Sequence, residues 1–416
     1  VTPTDDAPTR YEIRLEGWLD TDWSSRFQGA RIVHTHDGVT HVTCLVRDQS
    51  ELFGLLKRVR DLGLPLIAIA RISDSGAHDD HDDRRAYTPG TMRKSMKAIT
   101  QYRYGSPDVL NYEDIPKPVP TDEHVLVKIH AASVNAADWH LMRADPALVR
   151  LMGGGFFKPK DRVVGLDAAG VVESVGAAVT RFKPGDPVFG NVNGAFAEYA
   201  CTNHKNLALK PANVNFQQAA AVPTAGVTAL QGLRDHGGLK SGHHVLVNGG
   251  ASGVGVYAIQ IAKAYGARVT AVCGPGKLDV ARLCGADRVV DYAQTDVLRE
   301  DVRYDVILDN AAYRSLKDYA RIMTPQGAYV LVGGTLGNLL KGMLGGRSKG
   351  AGQRFTGFYA SINSDDLQAL ADLMASGAVR SPIDRCFPLE QTADAIRYME
   401  ARKVKGKIVI TMPEHA

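Results

Sequence analysis

The stretch HHVLVNGGASGVGVYAIQIAKAYGARVTAVCG, His243–Gly274, decides how the chain is read. A short apolar strand, VLV, runs into a turn of small residues, NGGASGVG. A helix-length apolar segment follows at once, and RVTAVC reads as a second buried strand. Small residues let a backbone come close to a pyrophosphate, and a helix N-terminus offers it unpaired N–H groups. A glycine-rich turn alone says little. Here the strand, helix and second strand stand where a dinucleotide-binding βαβ unit needs them. Gly250, Gly253 and Gly255 mark the bend, with Ser252 and Val254 between them. The rival reading keeps these glycines only for close helix–sheet packing.

The tip of the second strand reads CGPGK, Cys273–Lys277. An NAD site calls for a carboxylate roughly 20 residues beyond the turn, to hold the ribose hydroxyls. None stands at this tip. Gly274 leaves room, and Lys277 offers a cation to a 2′-phosphate. The pattern favours NADPH over NADH, although a solvated lysine at a helix start would look the same.

Working outward, RVVDY, YDVILDNA and AYVLVGG continue the apolar strands, with short helices between them. That alternation argues an α/β fold with a parallel sheet covered on both faces. Upstream, short strands and turns punctuated by Pro107, Pro116, Pro118, Pro120, Pro159, Pro184 and Pro187 read as a β-rich partial barrel. Residues 1–75 hold a small α+β unit: strand, hairpin, a helix opening at Asp48 with Glu51 three residues on, and a last strand, PLIAIARI. Residues 76–95 are a charged linker. Its HDDHDD run could ligate a metal or simply be a solvated tether. The expected division is 1–75, linker 76–95, a β-rich catalytic domain over 96–218 and 356–416, and a dinucleotide-binding domain over 219–355.

At 416 residues the chain exceeds one hydrophobic core. Its apolar runs, such as LIAIA, fall far short of the ~20 residues of a membrane span. VTPTDDAPTR has no apolar core of a signal peptide. A formal charge of +4 without a basic, aromatic patch gives no support for nucleic-acid binding. Cys44, Cys201, Cys273, Cys284 and Cys386 are odd in number and lack CxxC spacing, which points to a reducing, cytoplasmic setting.

From Met96 onward the chain resembles the zinc-independent, quinone-oxidoreductase-like branch of the medium-chain dehydrogenase/reductase superfamily. The marks are SVNAADWH (Ser133–His140), GLDAAGVVESVG, GAFAEYACTNHKNLALKP, AAAVPTAGVTALQGL, the His243 stretch, LCGADRVVDY and GKIVIT. The resemblance covers about three quarters of the chain and implies a Rossmann-type parallel sheet plus a GroES-like β-rich catalytic domain. The first 75 residues lie outside it. In zinc-containing relatives a cysteine would stand at Asn135 and a histidine at Leu166, so no metal is expected. One departure is the turn itself: the family pattern GASGGVG is GGASGVG here, and Ser252 replaces the middle glycine.

Without zinc to polarise a carbonyl, the chemistry narrows to substrates activated on their own account, quinones or conjugated enones. Asn135 is expected to donate an amide N–H to the substrate oxygen, and His140 a proton or hydrogen bond. Asp138 would orient the loop or His140, or serve as an Asx-type cap. Trp139, Phe156, Phe157, Phe358 and Tyr359 are candidates to line an apolar pocket. The resemblance also places Thr224, Thr228, Val332 and Gly333 beside the cofactor. The glycine-rich, basic segment 336–354 reads as a surface lobe.

The leading reading is an NADPH-dependent quinone reductase acting on a small, apolar, conjugated substrate. An enoyl or 2-alkenal reductase is the alternative, and an NADPH-binding interaction protein a further one. The resemblance implies a homodimer through an edge of the Rossmann sheet, with GAYVLVGGT and nearby strands as candidates for that edge.

Overall fold

The computed structural model describes residues 9–17, 30–34, 39–46, 66–72, 95–145, 158–332, 346–347 and 352–413, with helical positions at 51, 54, 55, 57 and 59. Phe156, Phe157, Gly333, the HDDHDD run and most of segment 336–354 lie outside them. Two compact units emerge, Val1–Gly90 and Thr91–Ala416, and each is described by itself.

In the first unit, β1 (Thr9–Glu16), β2 (Arg31–His34), β3 (Val39–Val46) and β4 (Leu66–Ile72) form an antiparallel sheet in the order β2-β3-β1-β4. Alternation does the sorting. Ile13 and Leu15 on β1, and Val42, Cys44 and Val46 on β3, share the buried face with Leu55 and Val59, one helical turn apart.

The second unit opens with the hairpin of β5 (Ser95–Gln101) and β6 (Leu110–Pro116). A β-rich sheet follows, built from β7 (His124–Val134), β8 (Asp167–Val175), β9 (Pro187–Asn191), β10 (Tyr199–Asn203) and β11 (Leu207–Leu209). The C-terminal strands return to it after the dinucleotide domain. With β19 (Ile383–Pro388) and β20 (Lys407–Thr411) the order is β11-β9-β8-β7-β20-β19, with β10 on β7. Ile408 of β20 pairs with Val134 at the end of β7. That register brings Lys407 beside Asn135, a proximity no local pattern announces.

Between these segments lies the parallel sheet: β12 (His244–Asn248), β13 (Arg268–Cys273), β14 (Arg288–Asp291), β15 (Tyr304–Asp309), β16 (Met323–Leu331) and β18 (Arg354–Gly357). Its order, β14-β13-β12-β15-β16-β18, is that of a Rossmann sheet, and the strand order reverses between β12 and β15. The short β17 (Gly346–Arg347) adds an antiparallel edge. Val245 and Val247 face one core while Leu246 faces another, as a doubly covered sheet requires. The helix Gly255–Ala264 buries Val256, Tyr257, Ile259 and Ile261 in the first of them. The expectation for GAYVLVGGT needs correction: β16 is flanked by β15 and β18, because the chain beyond it returns to add another strand. No helix among the described residues is long and apolar enough to cross a membrane.

Candidate active site

The glycine-rich turn stands at the C-terminal tip of β12, at the point of strand-order reversal. Gly249 takes the left-handed φ of +80° that starts the bend. At Gly255 a side chain would overlap the Gly249 carbonyl and lie 2.8 Å from the Gly250 Cα, so only glycine lets the helix start this close to the strand. Gly249 and Gly250 donate their N–H groups to the Val272 carbonyl, and Gly255 donates to the Ser252 hydroxyl at 3.0 Å. Ser252 thus does the job of a cap within the turn, which the sequence reading did not foresee. Among the described residues no acceptor lies on the N–H of Gly253 or Val254. Two unpaired donors at a helix start fit a pyrophosphate. Beside Gly249, Asn310 at the tip of β15 carries a buried side-chain oxygen with no partner among the described residues, an acceptor suited to a ribose hydroxyl.

At the tip of β13 no carboxylate stands on the strand or the turn after it. Lys277 donates to the Arg402 carbonyl at 2.7 Å, leaving two of its three N–H donors over. Gly274 faces Tyr292: a side chain there would begin 3.1 Å from the tyrosine hydroxyl. Lys277 thus keeps donors over near this tip, and the Tyr292 hydroxyl lies beside Gly274.

The loop after β7 belongs to a buried polar cluster. Asn135 caps the helix Ala136–Arg143, and its backbone N–H donates to Asp138 at 2.7 Å. Its side-chain N–H donates to Asp167 at 2.9 Å, and its oxygen accepts from Lys407 Nζ at 2.5 Å. Asp167, fully buried, also accepts from the Thr224 backbone at 2.9 Å, the Thr224 hydroxyl at 2.6 Å and Asn191 at 3.5 Å. Asp167 thereby caps the helix Pro223–Gln231, where a negative charge meets the positive end of the helix dipole. Burial pushes the carboxyls of Asp138 and Asp167 up, Asp138 to about 7, and Lys407 pulls both back down. Burial lowers the Lys407 ammonium, and the two carboxylates oppose that.

Comparison with known proteins fits this geometry. Residues 121–214 match the Alcohol dehydrogenase GroES-like domain family, and residues 284–410 the Zinc-binding dehydrogenase family. The NADPH-dependent alkenal/one oxidoreductase of Arabidopsis thaliana chloroplasts is 35% identical over 345 residues, covering 77% of this chain and 80% of its own. The quinone oxidoreductase of Sus scrofa is 30% identical over 336 residues, covering 77% of this chain and 99% of its own. The chain belongs to the quinone-oxidoreductase-like branch of the medium-chain dehydrogenase/reductase superfamily. The structure of the quinone oxidoreductase from Coxiella burnetii matches this medium-chain reductase with a TM-score of 0.67 at 29% identity, over 77% of this chain and 100% of that one. Residues 10–70 match a Domain of unknown function (DUF8691).

In this medium-chain reductase the donor set around Asn135 does not suit zinc. An amide stands at the loop, and an ammonium already balances the nearby carboxylates. Among the described residues no three His, Cys, Asp or Glu side chains gather into a metal-binding group.

The structure brings Asn135, Asp138 and Thr224 together and adds Asp167, Asn191 and Lys407, which the sequence reading missed. The Asn135 amide is engaged inside the protein: one N–H donates to Asp167, the other lies 3.5 Å from the Ser133 carbonyl, and the oxygen accepts from Lys407. Asp138 accepts the Asn135 N–H at the start of its own helix, the geometry of a cap. The His140 ring sits with Nδ1 on the Asp145 carbonyl and edge-on to Trp139. Since a carbonyl only accepts, Nδ1 holds the proton, and Nε2 can donate only from the imidazolium form. Trp139 donates to Glu400 and packs into the β-rich core. Phe358 stacks on His236, with ring centroids 4.2 Å apart, and Tyr359 is exposed. Thr228 donates to the Thr224 carbonyl, and the Val332 N–H to the Asp309 carbonyl at 3.0 Å.

Proposed function

We infer that this protein is a zinc-free, NADPH-dependent oxidoreductase that transfers a hydride to a quinone or a conjugated enone. The observation that carries the reading is the Gly253–Val254 pair of unpaired N–H groups at a helix start, on a sheet whose next strand ends without a carboxylate. Bound there, NADPH supplies the hydride. The chain's own work is to hold the pyrophosphate on the turn and to meet the 2′-phosphate with Lys277 and Tyr292. It also keeps the Asn135–Asp167–Thr224 cluster in fixed register with that turn. His140 is the candidate proton donor, in its imidazolium form. The plant relative is named for alkenals and alkenones and the pig relative for quinones, so both classes belong in the test. We read the protein as a cytoplasmic homodimer. The free thiols of all five cysteines support the first point, and β17, which among the described residues pairs on one side only, supports the second.

The test is NADPH oxidation against a panel of quinones, 2-alkenals and enoyl esters, with NADH beside it. Turnover with either acceptor class is expected, at a rate unchanged by dialysis against a chelator. A protein that binds NADPH and leaves it unoxidised by the whole panel would defeat the reading. Lys277→Ala should weaken NADPH binding by about tenfold, about 1.4 kcal/mol, and leave NADH binding as it was. Equal losses for the two cofactors in a fluorescence titration would show that Lys277 does not read the phosphate.

A further inference from the structure

The buried polar cluster around Asn135 contains a cation that hydride transfer, as read above, leaves without a task. Lys407 is 2% exposed. It follows Gly406, whose φ is +103° and whose missing side chain makes room for the Pro382 carbonyl. The Gly406 N–H donates to the Ala251 carbonyl at 3.0 Å, which pins this point of the chain to the glycine-rich turn. The Lys407 stem then passes the turn: its Cδ lies 3.4 Å from where a side chain on Gly253 would begin. Its Nζ ends on Asn135 Oδ1 at 2.5 Å and the Val134 carbonyl at 3.3 Å. One unbranched side chain thus reaches from the dinucleotide turn to the loop after β7.

We propose that Lys407 is a positioning residue for hydride transfer, holding the Asn135 amide, and through it the Asp167 carboxylate, in register with the turn that carries the cofactor. The proposal rests on the hydride-transfer reading above. The charged and titratable groups facing the cluster are Asp138 from the helix Ala136–Arg143, Asp167 from β8 and Tyr257 from the helix Gly255–Ala264. The helix Pro223–Gln231 adds only the Thr224 hydroxyl. Asp138 Oδ1 has no hydrogen-bond partner among the described residues, and the Lys407 cation acts on both carboxylates there. A medium of low polarity makes that balance matter.

The experiment compares the full chain with Lys407→Met and Lys407→Arg. It measures kcat and KM for an enone or quinone at saturating NADPH across the pH range, and Tm over the same range. Lys407→Met should lose about tenfold or more in kcat with KM within about twofold, since the buried lysine spends its donors on protein groups. The acidic limb of its kcat profile should move up by about one pH unit, because the carboxyls lose the cation that holds their pKa down. Lys407→Arg should recover part of the rate and most of the limb. The Tm gap between wild type and Lys407→Met should widen as pH rises. The variant's folded carboxyls keep protons that the unfolded chain has already released, so each step upward in pH costs the variant more. A Lys407→Met enzyme with unchanged kcat and an unmoved limb overturns the proposal. So does a loss shared evenly over all pH values that arginine does not relieve, which would mark Lys407 as packing alone. A wild type that turns over no acceptor sinks the hydride-transfer reading and this role together. An active wild type with an equally active Lys407→Met variant sinks this role only.

Discussion

Asp167→Ala is expected to be the most damaging single change in the large unit. The substitution takes away the acceptor of the Asn135 amide, the Thr224 backbone and the Thr224 hydroxyl in one step. It also leaves the Lys407 ammonium in the interior with its carboxylate balance halved. Removing one partner from a buried charge pair costs about 3–5 kcal/mol, and Lys407 will shed its proton to soften the loss. Urea unfolding of the large unit should show a destabilisation of that size, with turnover lost alongside it. Asp167→Asn keeps the shape but turns an amide toward donors, so it should recover only part. A destabilisation under about 1 kcal/mol for the alanine variant would mean the cluster is solvated in the working protein.

Gly255→Val should abolish cofactor binding. The new side chain would meet the Gly249 carbonyl and the Gly250 backbone, which cannot rotate aside. The helix would have to retreat from β12, carrying the Gly253 and Val254 donors with it. A loss of NADPH affinity of at least about a hundredfold, about 2.7 kcal/mol, is expected by calorimetry. Gly253→Ala is the control. Its side chain would begin 3.4 Å from the Lys407 Cδ, an ordinary contact, so affinity should fall by less than about fivefold. If the two variants bound NADPH alike, the turn would not be the phosphate site.

These two positions differ in how openly the sequence announced them. Gly255 stands between an apolar strand and an apolar helix, and both periodicities point at the turn from either side. The same local logic makes Lys277 and the carboxylate-free tip of β13 readable. Asp167 and Lys407 are otherwise. Each sits inside an apolar strand run, GLDAAGVV and GKIVIT, and a charge in such a run is itself a signal of buried pairing. What they pair with depends on the register of β20 on β7 and on which helix starts beside β8. Pairings between segments hundreds of residues apart have no local trace. Asn135 shows the opposite hazard. Its residue type invited a role toward substrate, and only the coordinates reveal that neighbours already use its amide. The motif's spacing marks Gly250, whereas the left-handed bend falls on Gly249.

The contact of Lys407 with Asn135 joins residues 272 positions apart. A ribosome adds about 5–20 residues per second, so the loop waits on the order of tens of seconds for its lysine. During that interval Asp138 and Asp167 are without the cation that balances them, and the β-rich domain lacks β20 and β19. The catalytic half of this reductase therefore completes itself last, after the dinucleotide half has been made, and assembly of its cleft belongs to the late, long-range stage of folding.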